Sequence, residues 1–313
     1  MLSKQTTNII FTTLKSTLTT ITILSLLTGC SSNPKKITKG KITAPPTETI
    51  QRLKLNPFYK KHISAKGFSI VSSDKVSDYA MWEAEYLINQ MLGKRDDIRK
   101  AMTDNNVRLA VMAYNELTTQ IPEHSDLKPK NFWDRRARGL GSTPTRPAVS
   151  CAEENLLSYP NDPYSTENIL IHEFAHAMHE MGLNTVDKTF DTRLLQSYNK
   201  AIANGLWKDT YAATNHKEYW AEGVQSWFNT NRQNDSLHNH VDTREELKEY
   251  DPTLATLLSE IHSDNNKWKY IKPENRKHKA HLAGYNQKSA PKFKWPDGLQ
   301  EWYDNYQNEQ NRK

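Results

Sequence analysis

The sequence predicts an α+β fold: a small mixed sheet, a helix carrying paired histidines, and then a mainly helical C-terminal half. Three observations predict it. Runs rich in Val, Ile, Leu and Met stand at 67–71, 107–114 and 148–157, in the first half of the 313-residue chain. A run with apolar residues at Ile169, Leu170, Phe174, Ala177 and Met178 keeps helical spacing and includes His172-Glu173-Phe174-Ala175-His176. Beyond Gly182 most segments read as helix, at about 186–204, 216–230 and 243–262.

Taken in order, residues 1–29 read as a leader. Lys4 and Lys15 give it a positive start with no acid before Glu48, and an apolar stretch from Ile21 to Leu27 ends in Leu27-Thr28-Gly29-Cys30. Residues 30–55, with Pro34, Pro45, Pro46 and five lysines, read as a flexible tether. Residues 56–265 read as one domain and 266–313 as an extension. Three of the eight tryptophans (Trp268, Trp295 and Trp302) lie in that extension, which predicts that it packs back on the domain. Within the domain, a strand at Gly67 to Val71 precedes a helix capped by Ser73-Asp74 and ending at Gly93. A second strand spans Val107 to Tyr114. Residues 122–147, with four prolines and two glycines, read as a long loop. Ala148 to Leu157 gives one or two strands around Glu153-Glu154. The histidine helix starts at Ser165-Thr166-Glu167 and stops at Gly182.

Charge and cysteine content narrow the function classes. The net charge of +6 falls to +4 without the leader, and no Arg/Lys stripe interleaved with aromatics points to nucleic acid. No stretch after residue 30 is long and apolar enough to cross a membrane. The Leu-Thr-Gly-Cys sequence resembles the lipobox of bacterial lipoproteins, in which the Cys is acylated. The alternatives are an ordinary signal peptide or an uncleaved anchor. The resemblance implies lipid on Cys30 and attachment to the cell membrane or outer membrane, facing the periplasm or exterior. Ser31 in place of Asp points to the outer membrane where the cell has one. With Cys30 lipidated, Cys151 has no disulfide partner and is expected to be a buried small hydrophobe rather than a metal ligand or inhibitory thiolate.

The chemistry sits in the histidine helix. Residues i and i+4 lie one above the other, so His172 and His176 can place two imidazole nitrogens on one zinc ion. Glu173, one step round, can reach a water in an open coordination position and act as general base. A third ligand is required. His179 is about 10.5 Å along the axis from His172 and is read as supporting or surface, not as a ligand. The metzincin pattern also fails, because His179 and Gly182 occupy the positions where it needs Gly and His. Downstream, Glu218 and Glu222 form an i,i+4 pair on a probable helix, 42 residues after His176 for the first of them. That spacing allows Glu218 to bind the metal and Glu222 to accept a hydrogen bond from a ligand histidine. The competing reading of such a pair is a solvated helix face. His216 faces another direction and is not expected to join this site.

Together the two segments resemble the catalytic domain of anthrax toxin lethal factor and its bacterial relatives, a gluzincin group. That group pairs a His-Glu-Phe-small-His helix with Tyr, six residues, Glu, two aromatics, Ala and Glu. Tyr211 to Glu222 fits this order. The resemblance spans 165–230, and it implies a zincin-like fold with His172, His176 and Glu218 as ligands of one zinc. It also implies Glu173 as base and Tyr211 as the phenol that stabilises an oxyanion; the plainer reading of Tyr211 is a core aromatic. Nothing resembles the toxin's receptor- or kinase-binding regions, so its substrate is not implied.

The expected activity is zinc-dependent hydrolysis of a peptide or protein at the cell envelope. The alternatives are a zinc-retaining envelope lipoprotein that binds a partner without turnover, and a secreted toxin-like effector. Zincins bind substrate along an edge strand beside the metal helix. Ala148 to Leu157 is expected to be that strand, with Glu153 and Glu154 either on the substrate rim or simply solvent-facing.

Overall fold

The computed structural model describes residues 39–312; Cys30 and the leader lie outside them. The elements in order are α1 (Thr47–Leu53), β1 (Lys61–Ala65), β2 (Phe68–Ser72), α2 (Asp78–Leu92), α3 (Asp96–Asp104), β3 (Arg108–Met112) and α4 (Lys130–Arg136). Next come β4 (Gly139–Leu140), β5 (Ala148–Ala152), α5 (Glu153–Leu156), α6 (Ile169–Ala177), α7 (Asn184–Val186) and α8 (Phe190–Ala203). The last are α9 (His216–Trp227), α10 (Arg244–Tyr250), α11 (Pro252–His262) and α12 (Leu299–Gln310). The α+β class expected from the sequence is observed.

Five strands form one mixed sheet in the order β1-β2-β3-β5-β4. β1 and β2 are an antiparallel hairpin, β2, β3 and β5 run parallel, and β4 closes the edge antiparallel to β5. Parallel strands need both faces covered, and the alternation shows how. Ile70, Leu109, Val111, Val149 and Cys151 point into the main core under α2 and α6. Val71, Ala110, Met112 and Ala152 point the other way, onto Leu53, Leu55 and Tyr59. The stretch read as a tether therefore contains a helix, α1, whose end helps cover the second sheet face.

Several local expectations are corrected. The α2 cap is Ser77, whose side chain accepts from Tyr79 N–H, not Ser73 or Asp74. The long loop at 122–147 contains α4 and β4. After β5 the chain turns into α5 rather than a further strand, and Glu153 and Glu154 are buried. Glu154 pairs with Arg138, while Glu153 accepts backbone N–H bonds from Ser77 (2.7 Å) and Tyr114 (2.9 Å). Both are structural acids, because a buried carboxylate persists only with such partners. Pro252 splits the expected 243–262 helix into α10 and α11, with Asp251 capping the second.

The histidine helix starts at Ile169, after the expected Ser165-Thr166-Glu167, and is capped by Asn168, whose side chain accepts from Ile171 N–H at 3.0 Å. It does not stop at Gly182. It continues as a π-helical segment, Met178–Leu183, into α7. Gly182 instead marks a close approach: a Cβ there would stand 2.7 Å from Ile98 on α3.

Beyond α11 the chain returns over the domain. Arg276 donates to both carboxylate oxygens of buried Glu83 (2.7 and 2.8 Å), His281 contacts the same group at 2.7 Å, and Trp268 donates to Tyr86. α12 rests on α4 through Phe132 stacked on Tyr303. Among the described residues, no helix is long and apolar enough to cross a membrane.

Candidate metal centre and cleft

α6 and α9 lie against each other beneath the sheet edge. α6 is anchored by Phe174, fully buried and edge-on to Phe68 of β2, with ring centroids 5.4 Å apart. α9 begins at Asn215, whose side chain accepts from Lys217 N–H (2.9 Å) and Glu218 N–H (3.1 Å). That cap fixes the first turn, and Glu218 with it. The next two residues are core: Tyr219 bonds Asp251 at 2.7 Å, and Trp220 donates to Ala175 O at 3.0 Å.

The structure brings His172, His176 and Glu218 together. His172 Nε2 is 3.2 Å from His176 Nε2 and 3.2 Å from Glu218 Oε2, and His176 Nε2 is 3.3 Å from that oxygen. The triangle is nearly equilateral. Tetrahedral zinc with bonds of about 2.0–2.2 Å spaces its ligand atoms roughly 3.3–3.5 Å apart, so this donor set fits the ion in size and kind. The His172 tautomer suits it too. Nδ1–H donates to Gln225 Oε1 at 2.8 Å, which leaves the Nε2 lone pair facing the triangle. Glu222, expected in that supporting role, is farther, at 3.5 Å from Nδ1. Glu222 also faces His238 Nε2 at 3.4 Å, and Gln225 is held in turn by Glu167 at 3.1 Å.

Electrostatics follow from burial and neighbours. Burial disfavours the Glu218 carboxylate, but the neighbouring His172 and His176 outweigh it and hold the carboxyl well below its usual range. Burial raises the Glu173 carboxyl, and Glu218 raises it further against the pull of the two histidines. Burial and Glu218 also raise the Tyr211 phenol, so it stays protonated and able to donate.

Tyr211 stands over the site, its ring centroid 6.3 Å from that of His172. Arg136, at the end of α4, donates to the Tyr211 hydroxyl at 3.4 Å. It has no carboxylate partner among the described residues. These groups line a cleft of about 210 Å³ that also includes Tyr164, Leu237 and His238.

The strand beside the cleft is β4, not β5. β5 is interior, paired on both sides, whereas β4 leaves one edge open. Gly139 lets β4 ride on α6: a Cβ there would stand 2.4 Å from Ile169 Cγ2 and 3.2 Å from Glu173 Cγ.

Sequence reasoning missed Arg136, Gln225 and His238. Gln225 lies one turn beyond Glu222 on the same helix face, a signal that was present. Arg136 and His238 reach the cleft from segments whose placement no local pattern fixes. Cys151 is fully buried in β5 and stands outside the donor set.

No family model matches the chain and no curated protein is similar to it. Among solved structures it is similar to a PRO-PRO endopeptidase from Paenibacillus alvei, at 18% identity, over 63% of this chain and 97% of that one, with a TM-score of 0.35. So distant a likeness carries no weight for chemistry, which is read from the residues of this chain.

Proposed function

We propose that this protein is a zinc-dependent peptide-bond hydrolase. The observation that carries the reading is the 3.2–3.3 Å triangle of His172, His176 and Glu218, which meets the cleft at His172, where Glu173 and Tyr211 also line it. Zinc held by these three residues supplies a Lewis acid for the scissile carbonyl and acidifies water. The chain's own groups do the rest. Glu173, with its raised proton affinity, takes the proton from the attacking water and returns it to the leaving amine. Tyr211 donates to the oxygen on which negative charge develops, and Arg136 adds positive charge beside it. Gln225 keeps Nδ1 of His172 protonated and its ring aimed. The open edge of β4 is the rail for an extended substrate.

The anchoring belongs to the same proposal. The lipobox-like sequence ending in Cys30 supports a lipid-held enzyme at the cell envelope, with peptide or protein as substrate.

The test is Glu173→Gln. The variant is expected to keep its cleft zinc and to lose cleavage of a broad peptide library followed by mass spectrometry. A wild type that holds zinc in the cleft yet cleaves nothing supports instead a binding lipoprotein without turnover.

A further inference from the structure

A second set of metal-type donors lies outside the cleft. His179 belongs to the π-helical segment after α6, Asp191 to the first turn of α8, and His216 to the first turn of α9. His179 Nε2 stands 2.9 Å from Asp191 Oδ1, and His216 Nε2 stands 3.2 Å from the same oxygen. The three donor atoms lie within 4.8 Å of one another.

The surroundings aim these groups at one point. The His179 ring is fully buried, edge-on to Phe190 and tilted against Trp220, with centroids 5.7 and 6.5 Å away. Its Nδ1 is buried without a partner, so its polar reach is through Nε2 alone. Asp191 has no Lys or Arg partner among the described residues. The adjacent cation, Lys217, is taken up by Glu180 at 2.5 Å. The Asp191 side chain is 49% exposed and that of His216 21%, which leaves a path from solvent.

We infer that His179, Asp191 and His216 form a second divalent transition-metal site, with water completing the shell. Two imidazole nitrogens and one carboxylate oxygen suit zinc, or copper and nickel among its neighbours, and not the oxygen-seeking calcium or magnesium. Asp191 Oδ1 stands 2.9 and 3.2 Å from the two imidazole nitrogens, somewhat inside the roughly 3.3–3.5 Å of a zinc shell, and all three donor atoms lie within 4.8 Å, so small side-chain shifts admit an ion. The site joins three separate elements. His179 is three residues past His176 and His216 two before Glu218, so an ion here bolts together the two helices that carry the cleft ligands. The site is independent of the peptidase reading.

The test measures zinc uptake by the full chain carrying His172→Ala and His176→Ala, which disables the cleft site. Dialysed against micromolar zinc, this background is expected to bind one ion, and adding either Asp191→Asn or His216→Gln is expected to abolish it. A background that takes up no zinc overturns the proposal, because the three groups are then merely hydrogen-bonded. So does one whose ion survives both substitutions. Near-UV circular dichroism checks the fold of each variant; if the double-alanine background is unfolded, Glu218→Ala carries the same comparison.

Discussion

The indole N–H of Trp220 donates to the carbonyl of Ala175 at 3.0 Å, a direct bond between α9 and α6. Trp220 is two residues past Glu218 and Ala175 one before His176, so the bond sets the spacing of the donors from the two helices. Trp220→Phe removes it together with the five-membered half of a fully buried indole. Stability is expected to fall by about 1–2 kcal/mol and zinc affinity by roughly 10-fold or more. Urea unfolding and a competitive zinc titration read the two effects separately; unchanged zinc affinity would show that the bond does not position the ligands.

Gly139→Ala tests how closely β4 rides on α6. The added methyl meets Ile169 Cγ2 at 2.4 Å and Ser150 O at 2.8 Å, and backbone oxygen cannot step aside. Overpacking of this kind costs about 1–3 kcal/mol, and the displaced edge strand is expected to raise KM for peptide. Thermal unfolding and steady-state kinetics check both.

Arg136→Gln leaves the donor triangle intact and removes the charge beside Tyr211. The expected result is a fall in kcat of roughly 10–100-fold with a small change in KM, because the interaction matters most when the oxyanion forms. A rise in KM at constant kcat would make Arg136 a substrate-binding group instead.

His262 predicts a pH effect on stability. It is buried against Trp220 and Phe228, its Nδ1–H donates to Met91 O at 3.1 Å, and burial lowers its pKa to about 3. The unfolded chain binds this proton near pH 6.5, so between about pH 6.5 and 3 it holds more protons than the folded state. The stability held by neutral His262 is thus fully present above pH 6.5 and is lost as pH falls toward 3. Urea midpoints across that range should drop less steeply in His262→Gln than in the wild type.

The sequence made part of this legible for physical reasons. An i,i+4 histidine pair on an apolar helix can face only one way, so His172 and His176 could be named from spacing, whereas spacing only allowed Glu218 and the resemblance singled it out. The edge strand could not. β4 is two residues long and exists because Gly139 fits against Ile169 and Ser150. Glu153 and Glu154 resembled surface acids because their partners, Ser77, Tyr114 and Arg138, are distant in sequence. α1 lay hidden in a Lys- and Pro-rich stretch, since its cover for the second sheet face depends on the sheet it meets.

The central claim is that His172, His176 and Glu218 hold a zinc ion beside the cleft. A zinc-edge anomalous difference map from crystals of the zinc-loaded protein tests it directly. The account predicts a peak about 2.0–2.2 Å from His172 Nε2, His176 Nε2 and a Glu218 carboxylate oxygen. A map with no peak among these three atoms would contradict it.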